Sequence, residues 1–392
     1  MWSNQLWRMI SGALVAWSGV LPISAMKAEK LGAWRVYIGT NSQGESGGIF
    51  QAVLNPVDGT LSEPQLAAQA VNPSFVAIHP NRRFLYAIGQ ADMVEGKPVR
   101  GAVAFAINAK TGMLTRLNAR SSEGAGPCHL VVDSAGRNVL IANYGGGSVA
   151  VLPIRPDGRL EPASAFVQHE GRSIHPRRQT GPHAHSINLD AAGRFAFVAD
   201  LGLDQVLVYA FSPEAGTLTP HAPPFVKVAP GAGPRHFAFH PTGRFAYVIN
   251  ELDSTMTSFA YDARQGRLTS LQTVSTLPAG FTEENTTAEV VVHPSGDFVY
   301  GSNRGHDSIA AFRIDPETGH LAPLGHTSTG GKTPRNFAMD PHGRFILAEN
   351  QDSDSVVVLR VDPETGTLAP TGSRITVPAP VCIRMMPIQN NP

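Results

Sequence analysis

A turn signature recurs seven times along the 392-residue chain, and no other feature limits its possible folds as strongly. The copies are Asn55-Pro-Val-Asp-Gly-Thr-Leu61, Asn108-Ala-Lys-Thr-Gly-Met-Leu114, Arg155-Pro-Asp-Gly-Arg-Leu160 and Ser212-Pro-Glu-Ala-Gly-Thr-Leu218. They continue as Asp262-Ala-Arg-Gln-Gly-Arg-Leu268, Asp315-Pro-Glu-Thr-Gly-His-Leu321 and Asp362-Pro-Glu-Thr-Gly-Thr-Leu368, with the closing leucines 46 to 58 residues apart. Each copy opens on Pro or a polar residue, puts Gly where a tight turn needs positive φ, and re-enters an apolar layer at Leu.

A second signature interleaves with the first. It reads His79-Pro-Asn-Arg-Arg-Phe-Leu-Tyr86, Asp133-Ser-Ala-Gly-Arg-Asn-Val-Leu140 and Asp190-Ala-Ala-Gly-Arg-Phe-Ala-Phe197. It recurs as His240-Pro-Thr-Gly-Arg-Phe-Ala-Tyr247, His293-Pro-Ser-Gly-Asp-Phe-Val-Tyr300 and Asp340-Pro-His-Gly-Arg-Phe-Ile-Leu347. Apolar, β-prone segments flank it. Each unit therefore reads strand, turn, strand, loop, strand, turn, strand, and four short strands in roughly 50 residues make one propeller blade. Trp34-Arg-Val-Tyr-Ile38 reads as a second strand without a first, and Val381-Cys-Ile-Arg-Met-Met386 as a first strand without a second. The fold class expected is all-β: a single seven-bladed β-propeller over residues 29–392, its ring closed by pairing of N- and C-terminal strands. Neither a β-sandwich nor a multi-domain α/β protein explains the period.

Equal numbers of basic and acidic residues, 31 of each, leave no global charge that would attract nucleic acid or an anionic membrane. Residues 1–28 read as a secretory signal peptide: Arg8 in a charged leader, an almost uncharged run from Met9 to Ile23, and small residues suited to cleavage after Ala25 or Ala28. No second hydrophobic stretch follows. A periplasmic or secreted protein is expected, free of the membrane after cleavage and monomeric. The two cysteines, Cys128 and Cys382, form neither a disulfide framework nor a zinc pattern.

Hairpin geometry indicates where chemistry could sit. Starts of inner strands and ends of second strands share one rim of an antiparallel blade. Reading those columns gathers Arg235, Arg304, Arg335, His129, His185, His236, Glu251 and Glu289 at one channel mouth. Three arginines among them favour an anionic or strongly oxygenated small-molecule ligand, although an ion-pair network between blades would also collect charge. A long loop before His185 carries Arg172, Arg177 and Arg178, either as a lid or rim or as a solvated surface loop. His183-Ala-His185 could offer two metal ligands but has no evident third partner, so no metal and no cofactor are expected. Gly44-Glu-Ser-Gly-Gly48 precedes a strand where a nucleophile elbow needs a helix, and Gly325-His-Thr-Ser-Thr-Gly-Gly-Lys-Thr333 lacks the helix of a P-loop.

Several segments are similar to one known family: Arg178-Gln-Thr-Gly-Pro-His-Ala-His-Ser186, Gly233-Pro-Arg-His236, Ser302-Asn-Arg-Gly-His-Asp-Ser308, Thr333-Pro-Arg-Asn336 and Asn350-Gln-Asp-Ser-Asp354. They resemble the seven-bladed propeller lactonases, which include bacterial 6-phosphogluconolactonase and, more distantly, the fungal carboxymuconate-lactonising cyclase. The resemblance implies catalytic His185, Arg235, Glu251 and Arg304, and the rim reading adds His129, His183, His236, Glu289, Arg335 and Asn350 as substrate-binding candidates. The chemistry expected is metal-independent hydrolysis of an anionic or sugar lactone, with a His general base and Arg stabilisation. A lactonising cycloisomerase of the muconate type would use the same rim, and a non-catalytic binding propeller is the third reading.

Overall fold

A computed structural model describes residues 32–42, 47–94 and 97–388, without the side chains of residues 92–98. The expected signal segment, residues 1–28, and most of the Gly44–Gly48 motif lie outside the described residues. The chain forms seven four-stranded antiparallel sheets, and the only helical element among the described residues is a 3-10 turn at Gln351–Ser353. Blade 1 consists of Trp34–Thr40, Gly48–Leu54 and Gln65–Gln69 together with the last strand, Pro380–Pro387. Trp34 pairs with Pro387 and Ile38 with Ile383, so the two half-blades of the sequence close the ring. Blades 2 to 7 follow in chain order, each from four consecutive strands.

Second strands are buried on both faces because each blade is sandwiched between two others; Phe195–Asp200 and Phe245–Asn250 are buried throughout. Outermost strands instead present polar faces to solvent, as in Leu368–Thr376.

The two turn signatures meet between blades. Gly366 of the blade 7 turn has φ of +73°, and a Cβ there would sit 2.3 Å from the Phe298 ring of blade 6. Gly at this position thus serves both the turn and the close approach of the neighbouring blade. The turn histidines act similarly: Nε2 of His240 lies 2.8 Å from the Gly296 carbonyl and that of His293 lies 3.0 Å from the Gly343 carbonyl, both in the following blade. Aromatic packing adds to this, with Phe197 and Phe237 stacked at 5.5 Å across blades 4 and 5.

One irregularity positions the site. Inner strands begin with a β-bulge in blades 1, 3, 4, 5, 6 and 7. In blade 4, Ala184 pairs with Asp200 and Ser186 with Ala199, leaving His185 as the extra residue. Cys128, Arg235 and Arg335 hold the same place in blades 3, 5 and 7. A bulge residue escapes strict up-and-down alternation, and here all four side chains line one narrow cavity.

Candidate active site

Glu251, just after the second strand of blade 5, is the hub of the mouth. Its backbone N–H donates to the Gly233 carbonyl at 2.7 Å, fixing it beside the start of the inner strand that carries Arg235. Nε of Arg235 lies 2.9 Å and Nη2 of Arg304 3.1 Å from Oε2, while Nη2 of Arg178 binds Oε1. Burial alone would raise the Glu251 carboxyl, but Arg304, Arg235 and Arg178 overcome it and hold the group at about 2. Glu251 is therefore a permanent anion that orders three guanidinium groups and is a poor proton carrier.

Nε2 of His185 stands 3.9 Å from Oε2 of Glu251, too far for a hydrogen bond and near enough to stabilise an imidazolium. Burial, aided by the charge of Arg235, lowers the His185 value well below the ordinary histidine range, so the ring is neutral and able to accept a proton. Tyr144 packs edge-on against it at 5.1 Å, and the Tyr144 hydroxyl accepts a hydrogen bond from Arg178 at 3.1 Å. Burial pushes the neighbouring Cys128 thiol up to about 12, which disqualifies it as a nucleophile at neutral pH.

Arg235 and Arg304 each retain unused donors. Arg235 also gives Nη1 to the Ala288 carbonyl at 2.7 Å and Arg304 gives Nη2 to the Thr287 carbonyl at 2.7 Å, yet Nε of Arg304 is buried without a partner among the described residues. Arg335 differs from both, since no hydrogen bond or ion pair engages its guanidinium among the described residues. Burial lowers its value, with the nearby charge of Arg235 adding to the effect. Glu251 offsets part of this from a distance, but a largely enclosed cation with no direct partner is costly unless a ligand supplies one.

Tyr144, Arg178, His185, Glu251, Arg304 and Arg335 line a cavity of about 360 Å³ at this mouth, a size suited to a small molecule. A throat of about 50 Å³ continues it past Cys128, Arg235, His236 and Asn336. Beyond the throat, a second cavity of about 330 Å³ includes His129, His236, Glu289 and Arg384. Outside the mouth, a cleft of about 620 Å³ shares Arg178, Thr286 and Arg304 with the first cavity.

The residues expected at one mouth are thus divided. His185, Glu251, Arg304 and Arg335 surround the mouth cavity, with Arg235 in its floor, whereas His129 and Glu289 face the far cavity and His236 lies between. One residue along a strand is about 3.3 Å along the axis, enough to separate the bulge column from its successor. Glu289 is already engaged by His236 Nδ1 at 2.9 Å and by the Asn336 amide. His183 stacks on Tyr144 at 4.6 Å and bonds its carbonyl through Nδ1, so it supports the cavity wall without lining it. Asn350 is a fully buried staple whose amide donates to the Thr329 carbonyl at 3.1 Å; Asn303 makes the same link to the Thr276 carbonyl in blade 6. Sequence reasoning passed over Tyr144, although it stands in the column that supplied Glu251, and left Arg178 among three loop arginines. Among the described residues, no group of three His, Cys, Asp or Glu side chains is arranged to hold a metal ion.

Residues 35–385 match the family described as Lactonase, 7-bladed beta-propeller. The chain belongs to this lactonase family. Among its lactonase relatives is the 6-phosphogluconolactonase of Bacillus subtilis, 38% identical over 350 residues that cover 89% of this chain and 97% of that protein. The 6-phosphogluconolactonase of Pectobacterium carotovorum is 34% identical over 271 residues, 69% of this chain and 74% of that protein. The crystal structure of the Pseudomonas aeruginosa periplasmic gluconolactonase superposes with a TM-score of 0.85 at 34% identity, covering 91% of this chain and all of that one. Family membership makes this lactonase a carboxylic-ester hydrolase by class, and its substrate is a separate question.

Proposed function

We propose that the protein hydrolyses a sugar-type lactone of the 6-phosphogluconolactone class at the mouth cavity, without a metal ion. The observation that carries this reading is a neutral, enclosed His185 beside a carboxylate clamped by three arginines, with guanidinium donors left over. Lactone opening needs a water deprotonated as it attacks the carbonyl carbon, and donors for the oxygen that becomes anionic. His185 takes the proton from water. Arg235 and Arg304 stabilise the tetrahedral oxyanion, which collapses by breaking the ring C–O bond; the proton on His185 then passes to the departing alkoxide, giving the hydroxy acid. Glu251 holds both arginines in place and stabilises the transient imidazolium. Arg335, lacking a direct hydrogen-bonded partner among the described residues, receives an anionic or oxygen-rich substituent of the substrate.

The relatives are named as lactonases, which favours ring opening over ring closure. Export to the periplasm remains our reading of the first residues, supported by the periplasmic gluconolactonase among the structural neighbours. The deciding experiment is a hydrolysis assay of purified protein on 6-phosphogluconolactone and gluconolactone, with and without chelator. Chelator-resistant hydrolysis of either is expected. No hydrolysis of both would overturn the reading.

A further inference from the structure

Arg178 poses a physical problem. It lies on a loop 73 residues in sequence from Glu251, and its side chain is 36% exposed. Fixing a half-exposed arginine costs rotamer freedom, and one ion pair to the buried Glu251 does not set the course of the loop that carries it. Something else must hold the loop.

Two aspartates of one turn do so. Asp200 ends the second strand of blade 4, and Asp204 closes the turn with φ of +54°. Asp200 Oδ1 accepts the His183 N–H at 2.7 Å, and Oδ2 lies 2.7 Å from Nδ1 of His169. The Asp204 carboxylate accepts four bonds: Gln179 Nε2 and the Gly233 N–H, each at 2.7 Å, on Oδ1, and Ser173 Oγ and the Gly231 N–H, each at 2.6 Å, on Oδ2. The loop is thereby pinned at His169, Ser173, Gln179 and His183. Gln179 directly follows Arg178 and also donates to the Leu201 carbonyl at 2.8 Å.

Equivalent turns elsewhere show what is particular here. Asp307 and Asp354 share the left-handed conformation, with φ of +51° and +48°, but among the described residues their carboxylates receive only backbone N–H groups, from Thr333 and Gly305 and from Ala379. In blades 4, 6 and 7 this turn supplies an aspartate that joins successive blades, where blade 5 has Ser254. Blade 4 adds side-chain donors from the long loop. Gly202, in the same turn, completes the fit: a Cβ there would meet the Gly181 carbonyl at 2.0 Å.

We infer that Asp204 is a positioning residue of the active site, acting through Gln179 and Ser173 to hold the loop as a fixed strap that delivers Arg178 to Glu251. The kinetic part rests on the proposed function; the strap itself does not. It is neither a mobile lid nor a free surface loop.

The test uses the full chain with Asp204→Asn, and with Ser173→Ala/Gln179→Ala, which removes only the loop's own donors should the first variant fail to fold. Limited trypsinolysis reads the strap without reference to activity. The parent should resist cleavage after Arg177 and Arg178, and both variants should be cut there at least tenfold faster. Kinetics then read the coupling. Asp204→Asn should lower kcat/KM about tenfold in the parent and less than about twofold in an Arg178→Ala background, because the arginine it serves is gone. Asp354→Asn, the same turn change in blade 7, should leave kcat/KM unchanged. Unaltered trypsin resistance in both variants would overturn the strap. An equal kinetic loss in both backgrounds would overturn action through Arg178. Absence of lactone hydrolysis by the parent would count against the proposed function alone.

Discussion

Nε of Arg235 lies 2.9 Å from Oε2 of Glu251, and Glu251 accepts without being able to release what it holds. A carboxylate kept near 2 by its surrounding arginines stays charged at every working pH, so the donors aimed from it are set before substrate arrives. Such preorganisation is what stabilises developing charge in an enclosed site.

Arg235→Ala and Arg304→Ala should therefore lower kcat by on the order of 10²–10³, equivalent to about 3–4 kcal/mol of lost oxyanion stabilisation. Steady-state kinetics beside thermal melts check this. Near-parental kcat in a folded Arg304→Ala protein would remove that residue from the oxyanion site.

His185→Ala should cost about 10²–10⁴ in kcat, the usual share of a general base. In the parent, burial and Arg235 keep the imidazole unprotonated to well below pH 6.5, so the acidic limb of the kcat/KM profile should fall below that pH. Removing the cation in Arg235→Ala should raise the His185 value and move the limb to higher pH. A limb that stays fixed in that variant would assign it to another group.

Arg335→Ala should chiefly raise KM, since the side chain orders nothing else in the protein and its loss leaves the Glu251 cluster whole. Comparison of phosphorylated and unphosphorylated lactones separates its ligands: a larger KM rise for the phosphorylated one shows that Arg335 meets the phosphate. An unchanged KM for both would place the anionic group elsewhere.

Glu349 gives a prediction about stability. It is fully buried, and burial raises it well above the usual carboxylate range despite Arg384 and the backbone amides of Cys382 and Ile383 nearby. Its folded-state value exceeds its unfolded value. Any stability tied to it is thus fully present below about pH 4.3 and lost as pH rises, because only the unfolded chain ionises. Glu349→Gln should raise Tm relative to the parent at pH 8 and by much less at pH 5. Equal shifts at the two pH values would show that the carboxyl does not titrate differently on folding.

The repeat made the architecture legible, because a turn glycine and its leucine encode blade boundaries locally. The ends were legible for the same reason: Trp34–Ile38 and Val381–Met386 are complementary halves of a unit seen elsewhere in full. His185, Arg235 and Arg335 could be placed on a common rim from hairpin direction alone. Their inward aim could not, since it depends on a bulge, and a bulge is a property of register between two strands. That is why His129 and Glu289, one position further along, were grouped with a mouth they do not face. Asn350 was misgrouped for a related reason: the sequence shows a polar residue at a rim but not whether a loop carbonyl such as Thr329 consumes it. Arg178 depends on the course of a long loop, which no local periodicity encodes.

The pairing of Trp34–Thr40 with Pro380–Pro387 has a consequence for biogenesis. Every other blade is assembled from neighbouring stretches of chain and can form from them alone. Blade 1 cannot, because its innermost strand, Pro380–Pro387, comes after every other described strand in the chain. Until that strand docks the ring is an open arc with three strands waiting at one end, and the arginine cluster lacks its complete surround. Docking of that one strand, then, is also the step that permits the enzyme to become an enzyme.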